Sequence, residues 1–408
     1  MDFLCFGGED WWYHNRGHID MQLMRNFSRC GTVLYINSII MQKPALAQGS
    51  KLIKKIVRKS KSMLRSCEKT TAGFWAYSPV SLPVHHLPLA SRLNSAALKW
   101  QIERTKKKLK IIDPIMWIAC PAACPCALKI SSCAMVYQKT DRYEEFPNVD
   151  AELIRSYDRT LMARANLTVF VNEQLYIEQK NLCRRAIYLD HGVDYEMFAF
   201  AKESGYIPDD IRGIDRPIVG FFGGIDDHTF DYPFMLEVIR LLPDVSFVFI
   251  GKASFECSQM KGMANVHMLG PKTYEQVPHY GKCFDVAIMP WRRNRWIQSC
   301  NPIKLKEYLA LGKPTVSTPF HELNKYKDVI YEASSPDQFA KAILQALAEN
   351  TAHKEEARRS RVADCSWQSK ALVVLDELSR CCGLDTAEAA AKILQDKLPA
   401  FDVNSVKI

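Results

Sequence analysis

Short apolar runs recur along this chain, and most are followed by stretches in which apolar residues return every three or four positions. The runs at 3–7, 32–37, 73–78, 114–119, 134–137, 167–171 and 187–189 predict buried strands. Between the first two, Ile19, Leu23 and Phe27 line one face of a predicted helix over 18–29. Residues 151–165 read as another helix, and Asn172 and Glu173 open one that ends near Arg185. A second alternation follows. It has strands at 218–222, 246–250, 265–268, 285–289 and 314–318, and helices at 231–242, 273–281, 302–311 and 336–348. Ser366 and Trp367 introduce a helix through about residue 380, and 384–404 reads as one more. The most apolar stretch, 114–128, carries Pro114, Pro121 and Pro125 and is short for a membrane span. A buried strand followed by a tight loop fits it better.

Repeated strand–helix alternation with unbroken apolar strands predicts an α/β fold of two doubly wound, Rossmann-like domains facing each other across a cleft. The N-terminal domain is expected over 1–200. A linker rich in Gly205, Pro208, Gly213 and Pro217 follows over 201–217. The C-terminal domain is expected over 218–375 and a helical tail over 376–408. Ligands of such sheets bind at the carboxyl ends of the strands.

A chain of 408 residues has room for two such cores. Asp2, Glu9 and Asp10 interrupt any N-terminal apolar run, so a signal peptide is not expected and a cytoplasmic location is. Among the cysteines, Cys120, Cys124, Cys126 and Cys133 cluster without the spacing of a structural zinc site. The remaining cysteines are scattered and, with no signal peptide expected, read as free thiols in a reducing compartment. The net charge of +9 is concentrated. Lys51, Lys54, Lys55, Arg58, Lys59, Lys61 and Arg65 alternate with Leu52, Ile53, Ile56, Val57 and Leu64, the pattern of a basic amphipathic helix over 51–65. A second run, Lys106, Lys107, Lys108 and Lys110, follows Trp100. A solvated face and contact with an anionic membrane surface both fit these runs. No nucleic-acid motif accompanies them, so nucleic acid is not expected as a partner.

The segment 301–320, NPIKLKEYLALGKPTVSTPF, carries the most specific chemistry. Asn301 and Pro302 start a helix, Lys304, Glu307 and Tyr308 ride its first turns, and Gly312 and Pro314 stop it. A helix start with a lysine can hold an anion, and Glu307 can accept hydrogen bonds from a ribose diol. Glu307 is expected to face solvent in an empty ligand cleft.

With these residues in hand, the chain resembles retaining glycosyltransferases of the two-Rossmann-domain type (GT-B, family 4-like). Within them it is most similar to the bacterial branch of teichuronic acid and exopolysaccharide biosynthesis. The resemblance runs through Asn301-Pro302-x-Lys304-x-x-Glu307-Tyr308-Leu309-Ala310-x-Gly312-Lys313-Pro314, His191-Gly192-Val193-Asp194, Gly223-Gly224-Ile225-Asp226, Pro290 to Asn294, Ser366-Trp367, and Gly7-Gly8-Glu9-Asp10-Trp11 with the following Arg16 and His18. It implies that Glu307 holds the ribose of a UDP- or GDP-sugar donor. Many relatives carry a second acid eight residues earlier, where this chain has Ser299. Amides near Ser299, Cys300 and Asn301 remain able to meet the donor.

Sugar transfer expels a diphosphate, so cations are needed at the phosphates. Lys304 and one of Arg292, Arg293 or Arg295 are the candidates, with Gly223 and Gly224 bringing backbone close. The first domain is expected to bind a glycan or lipid-linked acceptor. His14, Arg16 and His18 lie near its first glycine turn, Asp141 and Arg142 are candidates to orient acceptor hydroxyls, and His191 sits at the interdomain crossing. His14 has a structural or binding role as its first reading, since in the resembling family the leaving phosphate takes the acceptor proton. No metal or other cofactor is implied: no Asp-x-Asp motif follows an apolar strand of the first domain. A nucleotide-sugar epimerase and a noncatalytic nucleotide-sugar or glycan-binding protein remain the alternatives.

Overall fold

The computed structural model describes residues 1–13, 17–39, 61–81, 88–146, 148–298 and 300–395. The chain forms two compact α/β units. One comprises residues up to Asp190 together with the tail from Trp367, and the other comprises His191–Ser366.

The first unit is built on an eight-stranded sheet: β1 (Phe3–Phe6), β2 (Val33–Ile36), β3 (Cys67–Lys69), β4 (Trp75–Tyr77), β5 (Ile115–Ile118), β6 (Ala134–Lys139), β7 (Leu167–Phe170) and β8 (Ala186–Tyr188). Their order is β3-β4-β2-β1-β5-β6-β7-β8. All neighbours are parallel except β3 and β4. Phe3 to Phe6 and Ile115 to Ile118 are buried along their whole length, which is why they read as unbroken apolar runs. Strand order reverses at β1, which pairs with β2 on one side and β5 on the other. The carboxyl ends of β1 and β5 are therefore a topological switch point.

The second unit has six parallel strands: β9 (Ile218–Phe222), β10 (Ser246–Ile250), β11 (Val266–Gly270), β12 (Val286–Met289), β13 (Thr315–Ser317) and β14 (Tyr331–Glu332). Their order is β11-β10-β9-β12-β13-β14, the doubly wound order of a dinucleotide-binding sheet, with the reversal at β9 and β12. Phe221, Phe230 and Phe249 pack together in its core, and Phe339 and Ile343 of the helix Pro336–Ala348 join the same cluster.

Several expectations are corrected. The segment 201–217 is not a free linker. Asp210 takes hydrogen bonds from Lys272 (2.5 Å) and Tyr280 (2.6 Å), and the Lys282 ammonium donates to the carbonyl of Ala201 (3.1 Å), so this segment is part of the second unit. The unit boundaries fall after Asp190 and Ser366 rather than at 200 and 375, because the helix Trp367–Cys382 packs on the helix Ile19–Phe27 of the first unit. The helix expected over 273–281 is confined to Val277–Gly281, since Thr273 and Gln276 close a turn before it. The helix opened by Asn172 stops at Gln179 and tightens to a 3-10 turn over Lys180–Leu182. After β5, the expected loop contains a 3-10 turn, Pro121–Ala123, that runs into a short α-helical turn, Cys124–Ala127. A 21-residue helix, Pro88–Lys108, was not predicted. Its apolar residues occupy two faces, which erases the one-sided periodicity that reveals a helix in a sequence. Residues 51–60 of the basic run lie outside the described residues. No helix among the described residues is long and apolar enough to cross a membrane.

Candidate functional site

The candidate site lies at the β9/β12 switch point, and its position is set by one turn of helix. Residues Ile303–Ala310 form that helix, with its start just beyond Asn301 and Pro302. Tyr308 is fully buried. Its hydroxyl oxygen accepts the amide N–H of Phe222, the last residue of β9, at 3.0 Å, and the two rings lie 4.4 Å apart. Residues four apart on a helix share a face. Lys304 is thereby carried to the next residue along the strand end, Gly223.

Gly223 has φ +136°, a region that side-chain-bearing residues rarely adopt, and a Cβ there would lie 2.5 Å from the Lys304 ammonium. Gly251, at the end of β10, also requires glycine: a Cβ would fall 1.8 Å from the Gly223 carbonyl. Gly224 is less constrained, with the Asp226 carboxylate at 3.5 Å from a built Cβ.

Among the described residues the Lys304 ammonium rests on aromatic faces, 4.7 Å from the Phe221 ring centre and 5.3 Å from that of Trp291. Loss of solvation lowers its pKa to about 8, against the attraction of Glu307 and Asp226. Glu307 is only 6% exposed, so the expectation that it faces solvent is wrong. It sits on the helix side that packs into the unit. Burial raises its pKa to about 8, the charge of Lys304 and the Tyr274 hydroxyl oppose that rise, and Asp194 adds to it. Neighbouring Lys306 is also buried and donates to the carbonyl of His191, which ties the His191–Asp194 loop to this helix.

The loops after β9 and β12 are knitted together. Asp226 accepts from the amide of Thr229 (2.8 Å) and its hydroxyl (2.9 Å). The amide of Arg292 donates to the carbonyl of Thr229 at 2.8 Å, and Asn294 donates to the carbonyl of His228 at 2.8 Å. Arg292 and Arg293, with Asp227, His228, Asp231, Phe234 and Asn294, line a cavity of about 610 Å³. Lys304 and Glu307 are not part of its lining. Arg292 donates to the Phe230 carbonyl (3.4 Å) and Arg293 to that of Ser334, so both guanidinium groups are held by neutral oxygens. Arg295 begins the short helix Arg295–Gln298, and Asn301 is half-buried before the next helix. Ser299 lies outside the described residues.

The β1/β5 switch point of the first unit has a different character. Asp20 is fully buried and accepts from the amide of Gly8 (2.8 Å), the Tyr35 hydroxyl (2.8 Å) and the His18 ring (3.3 Å). Burial disfavours the His18 cation, but the hydrogen bond and charge of Asp20, with Glu9 and Asp141, hold its pKa up at about 9. Burial raises Asp141 to about 6, against His18 and Lys139. Arg142 is paired with Glu178 rather than open to a hydroxyl. His14 and Arg16 lie outside the described residues. Among the described residues, no group of three or more His, Cys, Asp or Glu side chains is placed to hold a metal ion. Cys120, Cys124 and Cys126 are buried thiols with raised pKa values, and Cys133 is exposed.

The structure brings the sequence candidates Gly223 and Lys304 together, with Glu307 one turn along, beside Tyr274, Trp291, Lys306 and Gly251, which the sequence reading did not single out individually. The last had a signal, a glycine immediately after an apolar run. The others had none, because their role comes from packing between distant segments.

Two Rossmann-like domains of this strand order define the GT-B class of fold. Residues 216–349 match the family described as glycosyl transferases group 1, so the Lys304–Glu307 helix falls inside the matched region. The chain has the GT-B fold. The putative teichuronic acid biosynthesis glycosyltransferase TuaH of Bacillus subtilis is 28% identical over 226 residues, covering 52% of this chain and 56% of the relative. The chain thus matches little more than half the length of this curated relative. Among solved structures, sucrose-phosphate synthase from Thermosynechococcus elongatus is similar at a TM-score of 0.65, with 12% identity over 93% of this chain and 98% of the other. HepE from Anabaena, solved with UDP and glucose, is similar at 0.63, with 12% identity over 93% and 99%.

Proposed function

We propose that the protein transfers a sugar from a nucleoside-diphosphate donor, of the UDP- or GDP-sugar kind, to a hydroxyl of a glycan or lipid-linked acceptor. The product is a cell-surface polysaccharide or its precursor. The observation that carries this reading is the Lys304 ammonium set against Gly223 at the β9/β12 switch point, with the Glu307 carboxyl one turn along. The match of that segment to group 1 glycosyl transferases supports it, as does the UDP-glucose bound to HepE, a protein of similar fold. The name of the TuaH relative supports a cell-envelope acceptor.

In this reading Gly223 and Gly224 let the donor diphosphate approach the backbone, and Lys304 offsets its charge. Asn301 at the helix start and Arg292 or Arg295 complete the anion site. Glu307 accepts the ribose hydroxyls. The bond from the anomeric carbon to the diphosphate oxygen breaks, and a bond from that carbon to the acceptor oxygen forms on the same face. The acceptor proton passes to the departing phosphate oxygen, so a dedicated base is not required and the hexosyl configuration is retained. His18 and His191 bind or orient in this scheme. The donor, together with the acceptor, is the only small molecule the reaction needs, and the protein works in the cytoplasm at the inner face of the plasma membrane.

The test is a thermal-shift screen of UDP- and GDP-sugars. It is followed by incubation of the stabilising donor with lipid-linked and glycan acceptors, and by NMR of the product's anomeric configuration. Stabilisation by one donor class and an acceptor-dependent, retained product support the reading. Donor binding without transfer to any acceptor turns it into a noncatalytic nucleotide-sugar-binding protein, and no stabilisation by any donor rejects both.

A further inference from the structure

The unpredicted helix Pro88–Lys108 presents two apolar faces, and among the described residues only one is covered. Ser91, Ser95, Leu98, Ile102 and Thr105 are buried. On the opposite side Leu89 is 72% exposed, Leu93 65% and Trp100 63%. At 100° per residue, these three fall within about 40° of one another, with Ala96 between them. They form a stripe along the first half of the helix. Arg104 and Lys107 continue the stripe toward the C-terminal end, and both are exposed. Arg92 and Lys99 flank it on one side and Lys108 on the other. Glu103 is the one acid in the helix, and it is engaged by Lys106 at 3.3 Å.

Beside the basic end lies a cavity of about 400 Å³, lined by Trp75, Tyr77, Trp100, Arg104 and Lys108 among others. The Arg104 guanidinium stands 5.6 Å from the Trp100 ring centre. Leu and Trp on one face with arginine and lysine at its margins is the composition of a helix that lies in a bilayer interface. The tryptophan sits at headgroup depth and the bases reach anionic phosphates. A helix of 21 residues gives a contact line of about 31 Å.

We infer that the exposed face of Pro88–Lys108 docks the protein on an anionic lipid surface, with Leu89, Leu93 and Trp100 entering the interface and Arg92, Arg104, Lys107 and Lys108 contacting headgroup phosphates. The bases decide for lipid over a second copy of the chain. Two such faces would oppose like charge, whereas an anionic bilayer complements both the apolar stripe and its margin. This moves membrane contact from the 51–65 run, which the sequence favours, to a helix with a defined exposed face. It gives the membrane location of the proposed function a specific surface, and it does not depend on sugar transfer itself.

The experiment is co-sedimentation of the full chain with vesicles of phosphatidylcholine alone and of phosphatidylcholine with an equal part of phosphatidylglycerol, at low and high salt. Binding is expected only to the anionic vesicles, weakening with salt. Leu89→Gln/Leu93→Gln/Trp100→Gln and, separately, Arg104→Glu/Lys108→Glu should each reduce binding by at least about tenfold. All five positions lie outside the donor site, so UDP titration of the same variants reports whether fold and donor site persist. Three outcomes overturn the inference: anionic vesicles that bind the triple variant as well as the parent, binding abolished by charge reversal at Lys54, Lys55 and Arg58 instead, or a parent dimer that the triple variant converts to a monomer with vesicle binding unchanged.

Discussion

The two switch points share a topology and differ in charge. At β1/β5 the protein closes the glycine turn with its own groups: buried Asp20 takes the Gly8 amide, the Tyr35 hydroxyl and the His18 ring. At β9/β12 the glycine turn backs onto an ammonium resting on aromatic faces, with a buried carboxyl one turn away. The first arrangement satisfies its charges internally. The second leaves a cation suited to an anionic ligand. A doubly wound sheet supplies a place at each reversal, and the side chains delivered there decide what that place can bind.

The largest effect expected from this contrast is at Lys304. Lys304→Ala removes the charge aimed at Gly223 and should weaken UDP binding about 100-fold by calorimetric titration, as loss of charge-assisted hydrogen bonds to phosphate does. Retained affinity would move the anion site to the arginines of 292–295.

Next comes Asp20→Asn, which should unlock the first turn and lower stability at pH 7 by about 2 kcal/mol in urea titration. His18 is raised from 6.5 to about 9, so its contribution is complete below its unfolded value and is lost as pH rises through about 9. Asp20 is lowered from 3.8, so its contribution is present above that value and is lost as pH falls through the depressed one. The deficit of the variant should therefore be greatest between about pH 4 and 6.5, decline as pH rises beyond that, and be smallest above pH 9. A deficit that stays constant to pH 10 would show that the Gly8 and Tyr35 hydrogen bonds, not the His18 pair, hold the turn.

The smallest effect is a shift in pH dependence. Lys304 titrates near 8, so UDP affinity should be highest below that pH and fall as pH rises through it. Glu307→Gln removes a charge that raises the Lys304 pKa. The fall in affinity should then begin at lower pH, and an inflection unmoved by this substitution would separate the two groups electrically.

Much of the second unit was legible in the sequence. Its strands are buried on both faces and read as unbroken apolar runs, and the spacing from Asn301 to Pro314 located the helix at the β9/β12 switch point. What that spacing did not carry was depth. Glu307 reads as an exposed acid near a helix start, yet packing against the Tyr274 and Asp194 segments buries it. In the first unit the same limit appears in reverse: apolar residues on two faces of the helix Pro88–Lys108 hid its period, and the sequence did not tell that Leu89, Leu93 and Trp100 stay exposed.

By itself the sequence determined which segments become strands and helices, because burial on one or both faces leaves a periodic mark along the chain. It also determined that a lysine, a glutamate and a tyrosine share one helix, since their spacing is local. Only the tertiary structure decided that β9 lies beside β12, that Tyr308 meets Phe222, and that Lys304 consequently stands over Gly223. Strand order and desolvation depend on contacts between residues far apart in the chain, and periodicity records nothing of these.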